Sequence, residues 1–430
     1  MKTFTIRRRT VWLVVASVAP ILVGVLVVVN FTGGETRIDR RVGSSYAVDD
    51  PNFRRELGVL LGPPFMPGNR PRVLLNGDQI FPAMLAAIRS AEKSITFETY
   101  IYWSGDIGSQ FAAALIERAR KGVKVHVLLD WVGSSKIDAS LLDGMTAAGV
   151  QVRKFHPPHW SNLGRLNNRT HRKLLVTDGR VAFTGGVGIA PEWTGNAQDP
   201  AHWRDTHFQI EGPVVAQMQA VFIDNWIQVS GGVLHGPDYF PPLPPAGTSE
   251  AQVFSSSPTG GSESMQLMYL MVIAAAKRTI DISAAYFVPD ELTLRALLDA
   301  QTQGVKLRMV VPGPHIDSET VRSASRARWG ALLASGAVIA EYQPTMYHCK
   351  VMIVDGVLVS VGSTNFDNRS FRLNDEATLN IHDAAFAREQ TAIFEADLAR
   401  ARRISFAEWS SRPLRERLAE RLASLIGSQL

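Results

Sequence analysis

The chain has 430 residues, 46% hydrophobic and 20% charged, with a formal net charge of +5 and an isoelectric point near 9.3. This composition excludes a chain dominated by disorder and supplies apolar material for two ordinary cores; the basic balance favours anionic partners such as lipid headgroups, nucleic acid or phosphorylated metabolites, without choosing among them. A lone cysteine, Cys349, excludes an intramolecular disulfide and a Cys-rich zinc site.

Lys2 and the run Arg7, Arg8, Arg9 precede the stretch from Val11 to Val29, nineteen residues without a charge and apolar apart from Ser17, Pro20 and Gly24. At about 1.5 Å per residue that length just crosses a hydrocarbon core of about 30 Å. It runs into Asn30-Phe31-Thr32-Gly33-Gly34 with no Ala-x-Ala site, so residues 1–32 read as an uncleaved signal anchor and transmembrane helix rather than a cleaved signal peptide. The leading arginines predict a single-pass protein of the inner (plasma) membrane with its globular part on the periplasmic, external side, although Arg37, Arg40 and Arg41 weaken the asymmetry.

Two stretches then repeat one order of elements, helix, strand, helix, strand. In the first half these are an amphipathic stretch around Met84 to Ala91, Ser94 to Tyr102, Phe111 to Arg120 and Gly122 to Asp130. In the second they are Tyr269 to Ala276, Thr279 to Phe287, Leu292 to Ala300 and Gly304 to Val311. Short runs of Val, Ile and Leu alternating with helices of about ten residues predict βαβ units and a sheet covered on both faces. The fold class is therefore α/β, in two repeats, residues 70–228 and 263–410. Residues 229–262 between them, with Pro237, Pro241, Pro242, Pro244, Pro245 and the Ser/Gly-rich run from Ser255 to Ser262, read as a linker or rim loop.

Each half also carries one chemical pattern. The first is His171-Arg172-Lys173 with Asp178-Gly179 and then Gly185-Gly186; the second is His348-Cys349-Lys350 with Asp355-Gly356 and then Gly362-Ser363 at the same spacing. A single His-x-Lys-x4-Asp arises by chance, but a matched pair in two repeats makes core histidines and surface lysines a poor account. In a strand, residues two apart share a face, so His171 projects with Lys173 and His348 with Lys350, while Arg172 and Cys349 point away. Asp178-Gly179 and Asp355-Gly356 predict tight turns into further strands, Arg180 to Thr184 and Val357 to Val361, which gives the two aspartates a structural reading beside a catalytic one. Paired histidines supply a nucleophile and a general acid; paired lysines supply fixed positive charge for phosphodiester oxygens. The set suffices for double displacement at phosphorus without a metal or other cofactor.

The tail, residues 411–430, places Leu414, Leu418, Leu422 and Ile426 at four-residue steps among Arg415, Glu416, Arg417, Glu420 and Arg421, an amphipathic helix. With charges of both signs it reads as packing on the domain, membrane association being the alternative.

From about residue 70 to about residue 410 the chain resembles the phospholipase D superfamily, and within it the bacterial cardiolipin synthases. The carriers are the two motifs, Asn168-Arg169-Thr170, Phe183-Thr184-Gly185-Gly186, Trp203-Arg204-Asp205-Thr206-His207, Tyr286-Phe287-Val288-Pro289-Asp290 and the run Gly362-Ser363-Thr364-Asn365-Phe366-Asp367-Asn368-Arg369-Ser370. The resemblance implies a pseudo-twofold monomer with one site between its halves, His171 as nucleophile, His348 as general acid and base, and Lys173, Lys350 and Asn365 on the phosphate oxygens, with Ser363 supporting. Asp205 and Glu376, each in the stretch following its motif, are candidates to hold the histidine nitrogens remote from phosphorus, beside a reading as surface or strand-end charges. One departure stands out: where the family carries Asn, the first half has Gly188.

The implied activity is phosphatidyl transfer between two phosphatidylglycerol molecules, so the expected partners are membrane phospholipids. Hydrolysis by the same intermediate, as in a phospholipase D, is the first alternative. A nuclease is disfavoured by the anchor and by the lack of a Lys/Arg stripe interleaved with aromatics in the two halves. A non-catalytic scaffold is disfavoured by the intact His and Lys pairs.

Overall fold

The computed structural model describes residues 38–158, 167–258 and 264–425, with scattered residues between 12 and 25. Among the described residues no helix is long and apolar enough to cross a membrane. Most of the segment read as the anchor, Val11 to Val29, lies outside them.

Helix α1 (Pro51–Leu61) leads into the first half, β1 (Met66–Leu75), α2 (Asn76–Ser90), β2 (Ser94–Thr99), α3 (Asp106–Arg120), β3 (Lys124–Asp130), α4 (Ala139–Ala147) and β4 (Gln151–Phe155), then β5 (Arg169–Thr170), β6 (Leu174–Thr177), β7 (Val181–Gly185), β8 (Thr206–Glu211) and α5 (Val215–Ser230). The second half repeats the series as β9 (Ser249–Ser256), α6 (Met265–Ala275), β10 (Thr279–Ala284), β11 (Phe287–Val288), α7 (Glu291–Thr302), β12 (Lys306–Pro312), α8 (Glu319–Ala334) and β13 (Val338–Tyr342). It continues with β14 (Lys350–Val354), β15 (Leu358–Gly362), β16 (Phe366–Asp367), α9 (Asn368–Arg372), β17 (Asn374–His382) and α10 (Ala384–Ala399); β18 (Ala401–Ile404), α11 (Phe406–Ser410) and α12 (Leu414–Leu425) follow.

The principal sheet runs β18-β13-β12-β10-β14-β15-β17-β9-β1-β8-β7-β6-β2-β3-β4, with β5 beside β17. Read outward from the β1–β9 pair, the halves have the same order, so the pseudo-twofold passes between those two strands. The β2–β3–β4 and β10–β12–β13 ladders are parallel, as right-handed βαβ crossovers require; the hairpins β6–β7 and β14–β15 are antiparallel. The fold is thus mixed α/β with two similar halves. Their packing is shared: Phe222 and Trp226 of α5 and Phe386 and Phe394 of α10 belong to one core cluster with Leu174, Val176, Ile353 and Val361 from the sheet.

Two expectations change. The segment read as a linker contains β9, a mostly buried strand that pairs β1 on one side and β17 on the other and so joins the halves. Of the serine run that suggested a loop, Ser255 and Ser256 join this ladder, opposite Ala377 and Glu376. The tail does form a helix on the domain, but it packs through Glu420 and Ala423, and Leu414, Leu418 and Leu422 face outward.

Candidate active site

Each motif enters its strand from beside the other half of the chain. Arg169 and Thr170 pair in parallel with Asn374 and Asp375, and the His171 N–H donates to the Asp375 carbonyl at 2.9 Å. Tyr347 likewise pairs with Arg204, and the His348 N–H donates to the Arg204 carbonyl at 2.8 Å. The period-two reading holds through this extended entry. His171, Lys173 and His348 line one cavity of about 610 Å³, while Arg172 turns beneath the sheet to donate to the Val221 carbonyl at 2.8 Å and Cys349 joins the shared core. Each lysine ammonium donates to the carbonyl of its own histidine at 2.9 Å.

The two acids cross. Glu376 holds His171, with Oε1 and Oε2 at 3.0 and 3.1 Å from Nδ1; Asp205 holds His348, with Oδ2 at 2.7 Å from Nδ1. Each follows its own motif in sequence, yet serves the histidine of the other half, because Asp375 and Arg204, the residues just before them, are the ones paired with the opposite motif. Both carboxylates are buried and bonded rather than surface or strand-end charges. Glu376 accepts from Ser363 Oγ at 2.5 Å, and Asp205 accepts from Trp193 Nε1 at 2.9 Å and the Thr206 N–H at 2.8 Å.

Other sequence candidates fall in different places. Asn365 lines the cavity, and its side-chain oxygen is buried with no hydrogen-bond partner among the described residues. Ser363 sits behind Glu376, also receiving the Ala377 N–H at 3.0 Å. Asp178 and Asp355, candidates for catalysis, are not among the residues lining the cavity and sit at the two hairpin turns. Asp178 accepts the N–H groups of Glu92, Lys93 and Ser94, and Asp355 those of Lys277, Arg278 and Thr279, at the start of β2 and β10. Both have left-handed backbone, φ 54° and 53°, with φ 61° and 66° at the glycines that follow, as a two-residue hairpin turn demands.

Burial governs the charge states. It lowers the His171 imidazole to about 4, against the upward pull of Glu376 and with help from Lys173. It lowers His348 too, with Lys350 adding to the effect and Asp205 opposing it. Lys173 falls to about 7 through burial and the charge of Lys350, and Lys350 is lowered by burial. Burial pushes Glu376 and Asp205 upward, but the histidine each holds and the lysines outweigh it and leave both carboxyls below their ordinary values. Near neutral pH the consistent assignment is a neutral imidazole donating Nδ1–H to an ionised carboxylate, which leaves Nε2 with a lone pair.

The remaining wall is aromatic. Tyr100 lies edge-on to His171 with ring centres 5.2 Å apart, and Trp193 and Trp203 lie 5.2 and 5.3 Å from His348. Tyr286 donates to Asp317 at 2.5 Å, and both line the cavity with Trp103. Trp203 and Tyr286 fall in stretches that carry the family resemblance; Tyr100, Trp103, Trp193 and Asp317 gave no signal in the sequence. Among the described residues no group of three or more His, Cys, Asp or Glu side chains is placed to hold a metal ion.

Gly188 has a steric explanation. A Cβ there would come within 2.8 Å of Ile101 Cβ and 3.2 Å of the Trp193 ring, so the space that Asn would need is filled by side chains of the cavity wall.

Comparison with known proteins places this geometry. A cardiolipin synthase of Geobacillus kaustophilus is 36% identical over 363 residues, 83% of this chain and 72% of the relative. A cardiolipin synthase A of Pseudomonas fluorescens is 35% identical over 84% of this chain and 75% of its own length, and a probable cardiolipin synthase of Bacillus subtilis is 36% identical over 84% and 72%. In fold, phosphatidylserine synthase of Haemophilus influenzae matches 88% of this chain and 100% of its own with a TM-score of 0.69 at 13% identity. The family described as cardiolipin synthase, PLD-like domain, matches residues 84–226 and 269–398, and the chain belongs to it.

Proposed function

We propose that the protein is a cardiolipin synthase that moves a phosphatidyl group from one phosphatidylglycerol to the hydroxyl of another through a phosphohistidine. The observation that carries this reading is the convergence of both histidines and Lys173 on one aromatic-walled cavity, with the Lys350 ammonium 3.3 Å from His348 Nε2 and each histidine oriented by a buried carboxylate.

In the first step His171 Nε2 attacks phosphorus, the N–P bond forms and the P–O bond to the departing glycerol breaks, while His348 gives that oxygen a proton. In the second, His348 takes the proton from the hydroxyl of an incoming phosphatidylglycerol, whose oxygen attacks phosphorus and releases His171. The products are cardiolipin and glycerol. Lys173, Lys350 and Asn365 take the non-bridging oxygens, where charge grows in both transition states. The bound phosphodiester anion raises the proton affinity of both imidazoles, which brings His348 toward the protonated state that the first step requires.

The same proposal includes a membrane address, with residues 1–32 as a single-pass anchor in the inner membrane and the globular part on the external side. Repeats 70–228 and 263–410, the connection 229–262 with β9 at its end, and the tail 411–430 complete the organisation. An alkaline phosphatase fused after Gln429 is expected to be active; activity only from a cytoplasmic reporter refutes the orientation.

The deciding experiment incubates purified protein with labelled phosphatidylglycerol beside His171→Ala and His348→Ala. Cardiolipin plus glycerol is expected from the wild type, with His171→Ala at background and His348→Ala down by about 10² to 10⁴. Phosphatidic acid as the main product points instead to hydrolysis, and no turnover of any phosphodiester refutes an enzymatic role.

A further inference from the structure

Helix α12 sorts its side chains in an unusual way for a helix lying on a domain. Leu414, Leu418 and Leu422 are 79%, 60% and 58% exposed, whereas Glu420 and Ala423 are 4% and 9% exposed. At 100° per residue the three leucines span one stripe, and Arg415, Arg417 and Arg421, all exposed, flank it on both sides. The acids take the opposite face. Glu420 pairs with Arg412 at 2.7 Å and Arg326 at 3.4 Å, and Glu416 reaches Arg326 at 3.9 Å. Among the described side chains the helix is therefore held to the protein by its acids and Ala423, and turns Leu414, Leu418 and Leu422 with their flanking arginines outward.

We infer that this outward face docks on an anionic lipid bilayer. Leucines in the acyl boundary with arginines at headgroup level are what an interfacial helix presents, and the segregation of both acids to the protein side removes the like-charge repulsion that such a surface would impose. The position suits the site. Ala423 packs with Val288, Val321 and Ala324, and Val321 and its neighbour Tyr286 also line the cavity of the two histidines. One layer of side chains thus separates the docked helix from that cavity. Delivery of lipid substrate by this contact rests on the transferase reading above; docking itself does not.

The test uses the full chain carrying Leu418→Cys, since the native Cys349 is buried, labelled with an environment-sensitive fluorophore and reconstituted in vesicles. In vesicles of phosphatidylglycerol and phosphatidylcholine the label is expected to shift to the blue, to be quenched by nitroxide-bearing lipid and to resist aqueous iodide, with several-fold less protection in phosphatidylcholine alone. Equal iodide quenching in both vesicles without lipid quenching overturns the inference. So does protection that rises with protein concentration in detergent, which shows a second copy covering the stripe. As a second readout, the triple change Leu414→Ser, Leu418→Ser, Leu422→Ser is expected to raise KM on phosphatidylglycerol vesicles on the order of tenfold while leaving unfolding temperature and turnover of a soluble short-chain phosphodiester unchanged. An unaltered vesicle KM counts against docking. A wild type that turns over neither substrate counts against the transferase reading alone, because the quenching result stands apart from it.

Discussion

Gly186 and Gly188 lie two residues apart and are glycine for different reasons. A Cβ on Gly186 would sit 2.3 Å from Asp205 Oδ1, so the missing side chain is what lets that carboxylate reach His348. Gly186→Ala is expected to lower kcat by about 10- to 100-fold with little change in KM, the loss seen when a group that orients a functional histidine is displaced. Gly188→Asn, which restores the family pattern on paper, is expected to destabilise by about 1–3 kcal/mol through overpacking against Ile101 and Trp193, read as a lower unfolding temperature, and to give no gain in activity. The pH profile offers a further check. His171 must be neutral to attack, so the acid limb of kcat/KM on a soluble phosphodiester is expected well below 6.5, toward the value of about 4 that burial imposes. Glu376 pulls that value upward, so Glu376→Gln is expected to move the limb to still lower pH as well as to reduce kcat; a limb that moves upward refutes the assignment. The His-Lys pairs were legible in the sequence because period two puts both side chains on one face and because the pattern recurs. The partnership of each acid was not, since it depends on which strand lies beside which, a tertiary fact that no local spacing encodes.

At the scale of elements, the Asp-Gly turns were the most legible feature, because the left-handed backbone they need is one that few residue pairs tolerate. Their aspartates do more than turn the chain. Each accepts three backbone N–H groups at the start of the neighbouring strand, welding β6–β7 to β2 and β14–β15 to β10. Asp355→Ala is expected to cost about 1–3 kcal/mol of stability, the penalty for buried donors left unmade, while the folded fraction keeps its kcat. A large fall in kcat without a change in unfolding temperature would show a chemical role after all. Strand β9 escaped notice because its sequence, Ser-Glu-Ala-Gln-Val-Phe-Ser-Ser, has too few apolar residues to signal a strand buried along most of its length. Gln252 at its centre is satisfied by neighbours, accepting from Asn380 at 3.1 Å and donating to the Pro63 carbonyl at 2.6 Å. The third βα unit of each half, α4–β4 and α8–β13, was also missed; in β4 only Phe155 is fully buried, which leaves little periodicity to read.

For the whole molecule, the repeat made two halves legible, but their union into one sheet around β1–β9 was not. That union includes Arg204 of the first half, whose guanidinium meets Asp397 of α10 at 2.9 and 2.8 Å in a buried pair. Cleavage in the exposed connection between Gly231 and His235 is therefore expected to leave an active, still-associated protein on gel filtration, whereas either half expressed alone is expected to be inactive. Activity in one isolated half would contradict the crossed arrangement. The crossing also makes the enzyme a coincidence detector: two polypeptides, each carrying half of the chain, would report their meeting by the appearance of catalysis, because neither brings both a histidine and the carboxylate that aims it.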